Sequence, residues 1–267
     1  MTAQEILFAI MLFSGGILAG FLSGLLGIGG GVVYVPLLMF AASLSIVPSL
    51  SSMHVIIATS LFAGTFTSSV SFFHHFEEKN VDFRSAVFLT SGALIAAIVT
   101  PRLMLDIDSE KLKIFIAVIV GIIGLFMFFE DRLPKDLALS FPKWSLFLAG
   151  LIIGSVAVSS GLGGGVFFTP VLLYLYSFNI KKAIGTSTMA VATAMFSSAV
   201  VFMFFDGTVD GRFQIGYVNY FAGISLALGG MIGPRYGVRL LKNVSVPFIR
   251  KVFSIFLILY SLKIIGI

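Results

Sequence analysis

Charge is missing from long stretches of this chain, and those stretches predict its elements. No Asp, Glu, Lys or Arg occurs from Ile6 to Phe76, Trp144 to Ile180, Ala183 to Phe205 or Phe213 to Pro234. One spanning helix needs about 20 apolar residues, so the first two runs must each fold back inside an apolar medium. Ser85 to Pro101, Ile114 to Phe129 and Val252 to Leu262 with its flanks read as single spans. The pattern predicts segments near 6–26, 31–44, 54–73, 84–103, 112–130, 144–160, 165–178, 184–205, 214–234 and 247–266. The fold class is therefore all-α and polytopic in a membrane, with eight to ten spans.

The chain reads as two copies of one unit. Gly27-Ile-Gly-Gly-Gly-Val32-Val-Tyr-Val-Pro36 recurs without a gap as Gly161-Leu-Gly-Gly-Gly-Val166-Phe-Phe-Thr-Pro170. Ala58-Thr59-Ser60 corresponds to Gly185-Thr186-Ser187, and Thr100-Pro101-Arg102 to Gly233-Pro234-Arg235. Dividing the chain at 1–134 and 135–267 leaves five segments per half. An odd repeat enters the membrane upside down the second time, as in many secondary transporters. The segments after each glycine run are short, with only about 12 to 14 apolar residues, so full spans and re-entrant half-helices both fit them.

Composition narrows the class. The 267 residues are 58% hydrophobic and 11% charged, against about a quarter charged in soluble domains. The net charge of +5 does not indicate nucleic acid, because the basic residues sit singly or in pairs at segment ends, where they orient a membrane protein. With the amino terminus outside, twelve of the 17 lysines and arginines fall on the inner side, which predicts both termini outside. The first apolar stretch lacks a basic flank and a small-residue cleavage site, so it reads as a retained span. The absence of cysteine removes disulfides and thiolate metal sites. Every carboxylate falls in a loop or at a segment end, which argues against proton coupling through a buried acid. Export of an anion is favoured by about 2.3 kcal/mol per 100 mV across a negative-inside membrane.

Glycine and hydroxyl positions are the candidate chemistry. Gly29, Gly30 and Gly31, and likewise Gly163, Gly164 and Gly165, lie deep in apolar sequence, where a broken helix persists only if packed in protein or lining a wet cavity. A helix restarting at Val32 or Val166 aims its first amides into the break, a position suited to an anion. Pro36 and Pro170 would kink the restarted segments. Close packing alone also explains a glycine run, but breaks in corresponding positions of two halves point to a binding site. Thr59, Ser60, Thr186 and Ser187 are repeat-paired hydroxyls at segment starts. Arg102 and Arg235 each follow a proline at a span end and are candidates for gating or anion attraction, as is His54. His74 and His75, beside Glu77 and Glu78, read as loop residues. Gly16, Gly20 and Gly24, with Gly229, Gly233 and Gly237, read as helix-packing seams. No catalytic constellation, metal site or cofactor motif is expected.

The paired Gly-Gly-Gly-Val-x-x-x-Pro stretches, with Lys182-Ala-Ile-Gly185-Thr-Ser187, resemble the sulfite exporter TauE/SafE family of membrane permeases, of the 4-toluene sulfonate uptake type. The resemblance covers essentially the whole chain. It implies export of sulfite or an organosulfonate such as sulfoacetate across a bacterial inner membrane, and implicates Gly29 to Gly31 with Pro36, Gly163 to Gly165 with Pro170, and Gly185, Thr186 and Ser187. The expected partners are a small anionic substrate, the lipid bilayer and, as an open alternative, a second copy in a homodimer. Anion uptake, a membrane-embedded enzyme and a non-transporting scaffold are the competing readings. Ala58 stands where the second half has Gly185, and the first half lacks the lysine pair, so the site departs from perfect symmetry.

Overall fold

The computed structural model describes residues 3–44, 50, 52–129, 141–205, 213–241 and 246–266. Of the loop charges used for orientation, Arg132, Lys135, Arg212 and Lys242 lie outside the described residues, as does the polar stretch 45–49. The helices are α1 (Ala3–Leu26), α2 (Gly31–Ser43), α3 (Met53–Glu77), α4 (Phe83–Met104), α5 (Ser109–Phe129), α6 (Ser145–Ser160), α7 (Gly165–Pro170), α8 (Ile180–Phe204), α9 (Tyr220–Leu240) and α10 (Val246–Ile265). A π-helical turn, Val171–Leu175, continues α7. The fold is all-α apart from a two-residue ladder, β1 (Gln214–Ile215) against β2 (Val218–Asn219).

Five of the described helices, α1, α3, α4, α5 and α8, are long and apolar enough to cross a membrane. Their outward faces expose large apolar side chains, among them Leu7, Ile98, Val99 and Ile122, while Ser60, Thr67 and Ser68 of α3 are buried. That distribution suits a lipid solvent. Helix starts follow local chemistry. Asp82, Asn179 and Asn219 cap α4, α8 and α9 by accepting the amides of Ser85, Lys182 and Ala222, each at 2.9 Å. By contrast α2 and α7 begin at Gly30 and Gly164 without any side-chain cap.

Two elements differ from the sequence expectation. α9 starts at Tyr220 instead of 214, because the β ladder and the Asn219 cap take up the uncharged residues before it. It also runs on to Leu240, so its last turn carries Arg239. α3 runs on to Glu77, so His74 and His75 sit on its final turns and not in a loop.

Packing sorts the helices into two clusters joined at α3 and α8. α1, α3 and α9 contact one another, as do α6, α8 and α4, while α5 pairs with α10. Exchanging the first five helices for the last five maps this set of neighbours onto itself. Glycines set the seams. An added Cβ on Gly16, Gly20 or Gly24 of α1 would strike Leu226, Gly230 or Pro234 of α9, so these helices run parallel with backbones in contact. Gly150 and Gly154 of α6 meet Leu89 and Ala93 of α4 in the same way.

Candidate functional site

The two glycine loops lie side by side and run in opposite directions. A Cβ on Gly31 would strike the Gly161 carbonyl and the Leu162 backbone, and one on Gly165 would strike the Gly27 carbonyl and the Ile28 backbone. Gly27 and Gly161 end α1 and α6 with positive φ, 67° and 70°, and Gly29 and Gly163 turn again at 74° and 80°. Side chains rarely adopt those angles, so glycine is what lets the chain leave one helix and enter the next within a few residues. The match is incomplete: Gly30 is right-handed at φ −70°, whereas Gly164 is left-handed at 88°.

Each restarted helix leaves amides unspent. Val33 and Tyr34 donate back to the Gly30 carbonyl at 3.0 Å, and Phe167 and Phe168 to that of Gly164 at 2.9 Å. Among the described residues, the amides of Gly31, Val32, Gly165 and Val166 donate to no carbonyl or side chain. A helix begins with such orphan donors and a positive dipole end. Here both sets are buried, where an unpaired donor costs about 1–3 kcal/mol. Supplying an acceptor there, such as an oxyanion, recovers that cost.

Ser60 is brought to this crossing and donates its hydroxyl to the Gly161 carbonyl at 2.9 Å. Ser187 donates instead to Ile184 of its own helix at 2.8 Å and lies 2.9 Å from the Thr169 hydroxyl. Thr59 and Thr186 are placed elsewhere. Thr59 accepts the Asn219 amide and Thr186 the Asp82 amide, each at 3.0 Å, so each hydroxyl holds the capped start of a helix from the opposite half. Pro36 is buried within α2, and Tyr260 donates to its carbonyl at 3.1 Å. Pro170 lacks the amide that would continue the ladder, and the helix widens into its π turn immediately after it. A cavity of about 10 Å³, room for roughly one water, touches Ile28, Gly165, Thr169 and Pro170. A second, apolar cavity of about 290 Å³ lies against Val166, Phe167 and Pro170.

The remaining candidates lie apart. Arg102 is exposed in the last turn of α4. Arg235 lines a polar cavity of about 390 Å³ with His74, Glu77, Glu78, Val238 and Arg239. The structure does not bring Arg102 to that cavity. His54 donates Nε2–H to the Met104 carbonyl at 3.1 Å and its ring lies 5.8 Å from Tyr217, which ties the start of α3 to the end of α4. Among the described residues no group of three or more His, Cys, Asp or Glu is placed to hold a metal ion.

Three buried polar groups escaped the sequence reading. The fully buried Tyr34 hydroxyl meets Thr67 at 2.5 Å, and both press on Gly230 of α9. His75 is buried beside Gly24, and Ser23 is buried with its hydroxyl unpartnered among the described residues. The i, i+3, i+7 spacing of Ser68, Ser71 and His75 was the available signal: it marks one face of a helix.

The chain is similar to known membrane proteins. The family model described as sulfite exporter TauE/SafE matches residues 12–264. A probable membrane transporter protein of Haemophilus influenzae is 26% identical over 93% of this chain and 94% of its own length. The probable membrane transporter protein YunE of Bacillus subtilis is 22% identical, with 94% of each chain covered. Sulfite exporter TauE/SafE family protein 3 of Arabidopsis thaliana is 38% identical over 40% of this chain and 22% of its own. No solved structure matches.

Proposed function

The chain belongs to the sulfite exporter TauE/SafE family, a membership that makes it a multi-pass membrane transporter, and from that premise we propose that it exports a small sulfur-containing anion, sulfite or an organosulfonate such as sulfoacetate. The observation that carries this reading is the pair of antiparallel glycine loops with buried, unspent amides on each side. Such donors suit an oxyanion and would reject a cation. Gly29, Gly30, Gly31, Gly163, Gly164 and Gly165, with Ser60 and Ser187, form the site; Pro36 and Pro170 shape the helices that present it; Thr59 and Thr186 brace it.

The chain sits in a bacterial inner membrane with both termini outside, and residues 1–134 and 135–267 are inverted repeats within one membrane domain. The exchange symmetry of the helix neighbours supports that arrangement. Access alternates by rocking, and the moving bodies are the clusters α1–α3–α9 and α4–α6–α8, each of which borrows one helix from the other repeat. Arg235 and Arg239 draw the anion toward the inner mouth. The reading is of a transporter and not of an enzyme, in line with the names its relatives carry.

Uptake of sulfite, thiosulfate, sulfoacetate and taurine into inside-out vesicles tests this. At least one of these anions accumulates with the unaltered protein. Accumulation disappears in Gly30→Leu and Gly164→Leu at equal amounts of folded protein. Transport of none of these anions, or undiminished transport by both variants, overturns the reading.

A further inference from the structure

The glycine site leaves one buried titratable group unused. His75 is fully buried on the last turns of α3, within a segment long and apolar enough to cross the membrane. An ionisable side chain at such a place is costly and marks ion or proton pathways. Burial opposes a charge on the ring, and two contacts bear on which form it takes. His75 donates Nε2–H to the Gly24 carbonyl at 3.0 Å, at the carbonyl end of α1, where a helix favours a cation. Its Nδ1 faces the Asn80 side-chain amide at 3.5 Å. A half-turn of that amide presents NH₂ to bare Nδ1 or C=O to protonated Nδ1.

Polar groups lie near His75 on two sides. Toward water, its neighbour His74 pairs with Glu77 at 3.1 Å on the wall of the 390 Å³ polar cavity, which Glu78, Arg235 and Arg239 also line. Toward the glycine pair, Ser71 donates to the Ser23 carbonyl at 3.3 Å, the Ser23 hydroxyl is buried without a partner among the described residues, and Ser68 lies 3.7 Å from where a Cβ of Gly29 would stand. Ser68, Ser71 and His75 thus share one buried face of α3, which reaches from its last turns toward Gly29. The titratable and charged groups around His75 are His74 and Glu77 on its own helix, Glu78 and Lys79 after it, and Arg235 and Arg239 on α9. α1 presents the Gly24 carbonyl. α8 presents Gly185, against the backbone of Asn80, with Lys181 and Lys182 exposed before it.

We propose that His75 is a proton-binding site that couples anion movement to proton movement, with the cavity between the ends of α3 and α9 as its access to inner water. This rests on the proposed transport function and names its coupling ion. Protonation adds a charge that Arg235 and Arg239 repel and that the Gly24 carbonyl holds. It also turns the Asn80 amide, whose backbone abuts Gly185 and whose loop hands the Asp82 amide to Thr186. A proton on His75 therefore reaches both clusters at once.

The chain has no cysteine, so a single thiol reports on this path. Ser23→Cys replaces a hydroxyl that has no hydrogen-bond partner among the described residues. Its labelling by a membrane-impermeant methanethiosulfonate from the inner side is followed against pH, with and without His75→Gln, which keeps the donor to Gly24 but cannot titrate. Relative to the His75→Gln background, labelling with His75 present rises by up to about tenfold per unit of falling pH while the ring titrates. The same pH profile in both backgrounds overturns the proposal. A parallel arm measures sulfite counterflow in proteoliposomes under an imposed pH gradient, which changes flux with His75 and not with His75→Gln. Absence of all sulfite flux would count against the transport reading, while the labelling arm still decides the role of His75.

Discussion

Thr59 accepts the backbone amide of Asn219 at 3.0 Å, joining two residues 160 positions apart. Its repeat mate Thr186 accepts the amide of Asp82 at the same distance. Both acceptors steady the first turn of a helix that belongs to the other half of the sequence, and both threonines are fully buried. Replacing either by valine keeps the shape and strands a backbone donor, which costs about 1–3 kcal/mol. Thr59→Val and Thr186→Val should lower the melting temperature of the detergent-purified protein by similar amounts. A neutral result in both would show that the bonds do not hold the halves together.

The glycine crossing makes a sharper steric prediction. Gly31→Ala and Gly165→Ala place a methyl on the backbone of the opposite loop, which cannot swing away. Overpacking of this kind costs about 1–3 kcal/mol or more. Gly15→Ala, whose Cβ would meet only the end of the Leu37 side chain, should be tolerated. Thermal stability of the three variants, measured side by side, checks the order. If Gly15→Ala were the most damaging of the three, the loops would not be packed as described.

Asp82 gives the stability a pH dependence. Partial burial pushes its carboxyl upward, but the Ser85 amide at 2.9 Å and Lys143 at 3.5 Å outweigh this and hold it below the usual carboxylate range. A group depressed in the folded state stabilises above its unfolded value of about 3.9 and loses that contribution as the pH falls through the folded one. Asp82→Asn keeps an N-cap acceptor without the charge, so its melting temperature should fall less on acidification to pH 3 than that of the unaltered protein. Asp82→Ala also loses the cap, which costs about 1 kcal/mol at neutral pH.

Much of this was legible in the chain. Uncharged runs located the helices, and the duplicated Gly-Gly-Gly-Val-x-x-x-Pro located both breaks, because burial in an apolar medium leaves few ways to read either. The seam glycines of α1 and α9 were legible for the same reason: only small residues let two backbones touch. What the sequence hid was partnership across long separations. Thr59 and Thr186 look like ligand hydroxyls until Asn219 and Asp82 are seen against them. His75 looked like a loop residue because Glu77 and Glu78 follow it, although one more turn of helix buries it under Gly24. The start of α9 was misplaced because a two-residue ladder carries no hydrophobic signature.

The cluster boundaries predict which helices move. Repeat boundaries in sequence would separate α1 from α9, yet the two are zipped along a glycine seam, and Phe8 stacks on Phe221 at 6.4 Å between ring centroids. The contact between clusters runs through α3 and α8, where the Ser68 hydroxyl lies 3.5 Å from the Met195 sulfur beside the glycine loops. A short bis-methanethiosulfonate linker across Phe8→Cys and Phe221→Cys ties residues that travel together, and sulfite transport should survive it. The same linker across Ser68→Cys and Met195→Cys spans the surface that must slide, and transport should stop until a reductant cleaves the bridge. Since the chain has no other thiol, recovery on reduction separates arrest from damage by the substitutions themselves. Arrest by both bridges would assign the motion to the sequence halves, because α9 then moves against α1 just as α8 moves against α3.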